Sequence, residues 1–308
     1  MTKVDEARYK SEFKSALKEF AKTLSEHVST ESGEWTIKGF IDVYKNIYTI
    51  SSDTKIVSKI LEIHIFPQII AFAEKVGYRI VLAEEQNYYP DLSFVKSDDE
   101  KVKFAVDLKT TYRDPEYPGH VNGFTLGSHG KYFTDRQSTK NIQFPYSEYL
   151  GHFCLGIIYS RADLDATEET RIHEVEEIKE DYDTPREAFR HLRVTPVKNL
   201  KSIASVIKDF DFFVTEKWEI ASDSQGSKNT ANIGSITNVE DLKNGRGVFA
   251  GLGEGWFDEY WINYGSATLV KGKKTIPITK LETFLEFKGR TDLFDKIVTK
   301  RTKRKNAK

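Results

Sequence analysis

Residues 90–109 read PDLSFVKSDDEKVKFAVDLK, and how this stretch folds decides how the rest is read. An acid follows a proline, two short apolar runs flank the polar SDDE at 97–100, and Asp-Leu-Lys closes the segment. Runs of this length around a polar turn predict a hairpin, DLSFVK (91–96) against KVKFAVDLKT (101–110). Side chains alternate across a strand. Val102, Phe104, Val106 and Leu108 therefore share one face, expected on the core, and Lys103, Ala105, Asp107 and Lys109 share the other. Asp107 and Lys109 then point the same way, about 7 Å apart along the strand. Asp91 opens the partner strand and can come beside Asp107. Two carboxylates at one point, with no His or Cys nearby, suit a hard, oxygen-seeking cation such as Mg2+. A lysine beside them can hold an attacking water and offset charge growing on a phosphate, the arrangement that metal-assisted phosphodiester hydrolysis needs. The same residues also fit a salt-bridged pair on a solvated strand face, and spacing alone does not separate the two.

Outward from the hairpin, the pattern alternates between helix and strand. Phe13, Leu17, Phe20, Leu24 and Val28 step by three and four through residues 11–28, predicting an amphipathic helix with Ser11 as N-cap. A longer helix is predicted over 53–76, capped by Asp53 or Ser52, followed by Gly77, and kinked or split at Pro67. YRIVLA (78–83) and FCLGIIYS (153–160) read as strands, and DFFVTEKWEIAS (211–222) returns to strand character. Residues 161–210 are charge-rich and read as helical in part, in TRIHEVEEIKE and LKSIASVIKDF. A polar loop occupies 223–235, before the aromatic GWFDEYWINY, a Lys/Gly turn and a last helical segment. No internal repeat and no long linker interrupt the chain. Helices mixed with a hairpin-bearing central sheet give an α/β (α+β mixed) fold class.

Composition bounds the function. Of 308 residues, 39% are hydrophobic, enough for a core, and the 30% that are charged are finely mixed, so the chain is not disordered by composition. Cys154 is the one cysteine, which excludes an internal disulfide and a cysteine zinc cluster; a buried inert thiol is expected. The seven histidines show no ligand spacing, and His64 reads as a core or surface residue. The charged N-terminus shows no signal peptide, and no apolar run reaches the roughly 20 residues of a membrane span. A soluble, cytoplasmic protein with no membrane partner is expected. Net charge is −1, yet residues 271–308 carry +9 and leave −10 on residues 1–270. A basic end on an acidic body fits an arm that contacts phosphates, or a solvated tail.

Pro90-Asp91, a spacer and Asp107-Leu108-Lys109 resemble the signature of the PD-(D/E)XK nuclease superfamily. SSDTKIVSKILE (51–62), EEQNYYPD (84–91), DLKTTY (107–112), FTLG (124–127), STKNI (138–142) and GSKNTANIGS (226–235) resemble, in order, segments of the EcoRV-like type II restriction endonucleases. The resemblance covers roughly residues 45–160 and 215–265. It implies a restriction-endonuclease-like fold with a central mixed sheet flanked by helices and DNA-reading loops. Residues 1–308 are expected to form a single domain with a family-variable insertion at 161–210 and a basic tail at about 297–308.

The resemblance also implies roles. Asp91 and Asp107 would bind the metal, Lys109 would orient or activate the water, and Glu62 would serve as a further catalytic and metal-binding acid. Gln86 and Asn87 would lie near the minor groove. Gly226, Ser227, Lys228, Asn229, Thr230 and Ala231 would enter the major groove, and Thr110, Thr111 and Thr125 would offer hydroxyls near the DNA. Amides pair with base edges, a threonine methyl packs on thymine, and glycine lets the backbone approach; an ordinary polar turn has the same composition. Lys228 and Ala231 replace a glycine and a threonine of the family. The implied activity is Mg2+-dependent cleavage of double-stranded DNA, with Mn2+ as a substitute, by a homodimer. The implied site is GATATC, cut blunt to leave 5′-phosphate and 3′-hydroxyl ends. Two other readings are a repair or mobile-element nuclease without strict site choice, and a catalytically silent DNA-binding protein.

Overall fold

In the computed structural model, the described residues are 1–44, 46–85, 87–162, 172–174, 194–196, 203–226 and 231–301. The helices are α1 (Lys3–Val28), α2 (Thr54–Lys75), α3 (Lys131–Thr134), α4 (Val239–Lys243), α5 (Glu254–Asn263) and α6 (Leu281–Phe287). The strands are β1 (Gly39–Ile41), β2 (Asn46–Thr49), β3 (Tyr78–Leu82), β4 (Leu92–Lys96), β5 (Lys103–Tyr112), β6 (Thr125–Ser128), β7 (Tyr149–Arg161), β8 (Ile172–Glu174), β9 (Val194–Pro196), β10 (Ile207–Glu216), β11 (Ala221–Gln225), β12 (Asn232–Ser235), β13 (Thr268–Lys271) and β14 (Lys274–Pro277). This is the mixed α/β class that the pattern predicts, with a central sheet flanked by helices.

Helix α1 begins eight residues before Ser11. Thr2 and Asp5 form a reciprocal cap: the Asp5 N–H donates to Thr2 Oγ1 (3.2 Å) and the Thr2 hydroxyl donates to Asp5 Oδ2 (2.7 Å). Charged residues in the added turns hid the start from an apolar-period reading. Helix α2 starts as expected, with Asp53 Oδ1 accepting from the Lys55 N–H (2.9 Å) and the Ile56 N–H (3.3 Å). Pro67 does not split it. The ring lies on an exposed face, where the carbonyl it leaves unpaired in the preceding turn can be hydrated. By length and composition α2 could cross a membrane. Its charged residues break the uninterrupted apolar run sought in the sequence. Val57, Leu61, Ile65, Ile69 and Phe72 are buried along one stripe, the pattern of a helix packed on protein.

The chain divides into two compact units, Met1–Lys22, Gln68–Ile157 and Phe212–Lys308 in the first, and Thr23–Pro67 and Ile158–Asp211 in the second. The first is built on a five-stranded sheet in the order β10-β7-β5-β4-β3. The hairpin forms as predicted: β4 pairs antiparallel with β5, Leu92 opposite Val106 and Phe94 opposite Phe104. Phe13 of α1 stacks on Phe104 at 4.3 Å and meets Phe94 edge-on at 5.2 Å, fixing the helix to the sheet. One expectation changes. Strand β5 lies in the middle of its sheet, and Ala105 and Asp107 are buried along with Phe104, Val106 and Leu108. The polar face is covered as well, which removes the solvated-strand alternative for Asp107. β11, β12 and β6 form a second sheet, and β13 and β14 a hairpin.

The second unit holds a four-stranded sheet in the order β1-β2-β8-β9. Its buried Trp35 donates from Nε1 to His64 Nδ1 at 3.2 Å, so the half-buried His64 serves the packing of this unit. Burial, then the neighbouring His27, pulls the His64 imidazole down to about 4. The helical reading of TRIHEVEEIKE and LKSIASVIKDF fails where it can be compared: residues 172–174 are a strand, and Ile207 onward belongs to β10. Short apolar runs fit either period, and pairing decides between them. Most of the rest of 161–210 lies outside the described residues.

Candidate active site

A cleft of about 460 Å³ opens in the first unit, lined on one side by Asp91, Asp107 and Lys109. The hairpin register sets these three together. Asp91 stands one residue before β4, where its Oδ2 accepts the Leu108 N–H at 2.7 Å. Its carboxyl thereby lies against that of Asp107. On β5, Lys109 Nζ sits 2.6 Å from Asp107 Oδ2. The side chains are thus joined by the alternation and the cross-strand register read from the sequence.

The charges are crowded. Asp91 opens onto the cleft, yet burial of its carboxyl, then repulsion from Asp107, push it up to about 7, against the pull of Lys109. Burial would pull Lys109 down, but Asp107 and then Asp91 overcome it and hold the ammonium above its ordinary value. Two like charges this close are relieved by a proton or by a cation. The donor set fits Mg2+, which takes one or two carboxylates and keeps several waters. Among the described residues no three His, Cys, Asp or Glu side chains gather at one point. Cys154 is buried, as expected, and burial pushes its thiol up.

The remaining walls bring in residues that the sequence reading had not singled out. Tyr132, Lys131, Gly127, Ser128, Lys140, Asn141 and Asn232 line the cleft with Asn87 and Thr125. Tyr89 lies beside Ile142: its N–H donates to the Asn141 carbonyl (3.1 Å) and its carbonyl accepts from the Gln143 N–H (2.9 Å). The blocks FTLG and STKNI were the signal for this wall, since they resembled the family and only Thr125 among them carried an assigned role.

Comparison with known proteins agrees with this geometry. The restriction endonuclease EcoRV family matches residues 31–186 and 182–289. The type II restriction enzyme EcoRV of Escherichia coli is 32% identical over 261 residues, 84% of this chain and 94% of its own length. The chain belongs to the EcoRV family of type II restriction endonucleases. It is therefore a DNA hydrolase, and it carries the restriction-endonuclease-like fold.

Within the EcoRV-like framework the other expected residues spread out. Asn87 is exposed at the cleft mouth. Gln86, Ser227, Lys228, Asn229 and Thr230 lie outside the described residues. The two ends of the second loop are fixed: β11 and β12 pair antiparallel, so Gly226 and Ala231 stand at the base of a hairpin. The Gly226 N–H donates to the Asn232 carbonyl (3.0 Å), and the Ala231 carbonyl accepts from the His129 N–H (2.8 Å). A Cβ on Gly226 would come within 2.8 Å of Thr125 Cγ2 and 3.1 Å of Gly234 Cα, so glycine is required for the close approach. Thr125, on β6, faces the cleft. Thr110 is half-buried on β5. Thr111 is buried, with its hydroxyl donating to the Asn122 carbonyl, a bond that serves the fold. Glu62 lies on α2 in the second unit and pairs with Lys59 at 2.8 Å.

Proposed function

We propose that the chain is a Mg2+-dependent homodimer that cuts a short palindrome in double-stranded DNA. What supports this most is one observation: Asp91, Asp107 and Lys109 meet at the wall of a cleft inside an EcoRV-family chain. Asp91 and Asp107 hold the metal, with Mn2+ able to replace Mg2+. The bound ion supplies a Lewis acid that offsets charge on the scissile phosphate. Lys109 orients the attacking water from the Asp107 side and steadies its developing negative charge. In-line attack leaves a 5′-phosphate and a 3′-hydroxyl, with no covalent enzyme intermediate. Glu62 is carried as a further acidic group, held ready by Lys59.

Gln86 and Asn87 read or follow the minor groove, and residues 226–231 read the major groove. Thr110, Thr111 and Thr125 stand behind these contacts. GATATC with a blunt central cut is the proposed site, since Asn229 and Thr230 keep the family pattern; its flexible TA step suits bending. A palindrome asks for a two-fold reader with one active site per strand. The β1–β2 hairpin leaves Phe40, Ile41, Val43 and Tyr44 exposed, apolar surface that a second copy would cover. Such an enzyme works in the cytoplasm, where Cys154 stays reduced.

The test is to digest DNA of known sequence in Mg2+ and map the ends. One palindrome with flush ends is expected. Scattered ends would overturn the restriction reading in favour of a nuclease without site choice, and a different palindrome would trace to Lys228 or Ala231.

A further inference from the structure

Behind the cleft lies a charge that the nuclease reading does not use. Lys217 is 4% exposed, and among the described residues none offers its Nζ a hydrogen-bond acceptor. Three aromatic rings surround it instead: Nζ lies 4.9 Å from the Tyr89 centroid, 5.2 Å from that of Phe133 and 5.6 Å from that of Tyr146. A lysine stem packs well on rings, and their faces attract its cation. No solvated strand would bury an ammonium this way, because an unpaired buried charge is costly.

The cage is also the far side of the cleft wall. Tyr89 lines the cleft, two residues before Asp91, and stacks on Tyr132, another lining residue, with centroids 5.5 Å apart. Tyr89 is held from behind as well, its hydroxyl 3.0 Å from His152 Nδ1. Gly127 of β6 lines the same cleft at φ 84°; a Cβ there would meet the Tyr132 hydroxyl at 3.1 Å and Lys217 Nζ at 3.5 Å. The lysine is placed by the short turn Lys217–Ile220, in which Glu219 accepts the Glu216 N–H at 2.8 Å. The charged groups that bear on it are Asp107 and Asp258, which favour its cation, and Arg136 and Lys109, which oppose it. Burial outweighs them all and brings the amine down to about 7.

We propose that Lys217 is a positioning residue of the nuclease centre, a caged cation that backs the Tyr89 and Gly127 wall and offsets the charge of Asp107 before a divalent cation arrives. Lys217 is buried and does not line the cleft, so it acts through Asp107 and the Tyr89 wall. The proposal rests on the assignment of Asp91 and Asp107 as the metal site. A cation stationed there competes with the divalent ion, so its removal tightens metal binding.

The experiment compares wild type with Lys217→Met, an apolar side chain of similar length. Ca2+ binding is followed by calorimetry below pH 7, where the Lys217 amine carries its charge. The variant is expected to bind Ca2+ roughly fivefold more tightly. Ca2+ affinity that is unchanged or weaker would leave Lys217 as packing alone and overturn the proposal. Should Lys217→Met fail to fold, wild type labelled with 13Cε-lysine gives the same answer. The Lys217 signal is expected to move, saturably, as Ca2+ is added, and a signal that stays still overturns the proposal. Wild type that neither cuts DNA nor binds Ca2+ would overturn the nuclease reading itself, a result distinct from either of these.

Discussion

Glu216 and Lys217 are neighbours in the chain and belong to opposite kinds of buried charge. Glu216 joins a balanced set: it meets Lys10, and its other oxygen lies 3.0 Å from Lys14, which also reaches Glu219 at 2.6 Å. Lys10 adds Glu254 at 2.7 Å. There, burial is overcome. Lys10 is raised by Glu254 and Glu216, and Glu216 is lowered by Lys10 and Lys14. Lys10 and Glu216 are thereby held in their charged forms, while burial pushes their neighbour Glu254 up. At the cleft two groups go the other way, Asp91 pushed up and Lys217 behind it pulled down, both toward neutrality, while Asp107 holds Lys109 charged. The two sets lie within the same unit. The difference teaches where function sits: charge that stabilises the fold is paired, and charge that awaits a ligand is left crowded.

The sharpest way to break this contrast is to remove one lysine from each set. Lys109→Met should lower cleavage about a thousandfold or more, equal to roughly 4 kcal/mol of transition-state stabilisation, with a melting temperature near wild type. Lys10→Met should do the opposite. It strands buried carboxylates and should cost about 3 kcal/mol of stability, while cleavage per folded molecule stays close to wild type. Calorimetry and single-turnover cleavage on both variants decide it. Equal losses of stability would erase the distinction.

A smaller effect lies in the pH dependence of the metal-free protein. Asp91 keeps its proton in the folded chain up to about 7, against an ordinary value of 3.8. Between those values the unfolded chain binds fewer protons than the folded one, so stability falls as pH rises through the window. Because Asp91 opens onto the cleft, solvent keeps the slope shallow. Denaturant titrations from pH 4 to 7 should show that decline in wild type and a flatter line in Asp91→Asn. Identical slopes would mean the carboxyl is not crowded.

Much of this was legible in the residues. Alternation along KVKFAVDLK put Asp107 and Lys109 on one face, and the SDDE turn set Asp91 opposite, because both rules act over neighbouring residues. The burial of that face was not legible. It depends on β7 and β10 extending the sheet beyond β5, which no local pattern announces. The cage around Lys217 was hidden for the same reason, since Tyr89, Phe133 and Tyr146 come from three distant segments. The start of α1 was missed because Thr2 and Asp5 cap a polar turn. The strands at 172–174 and 207–210 read as helix because a few apolar residues fit both periods.

The central claim is that the crowded carboxylates are the catalytic metal site of a site-specific nuclease. Its most direct test is Asp91→Ala and Asp107→Ala, each assayed for plasmid cleavage in Mg2+ and for binding to the mapped site in Ca2+. Cleavage should vanish in both while specific binding persists. Either variant cutting DNA at the wild-type rate would contradict the claim.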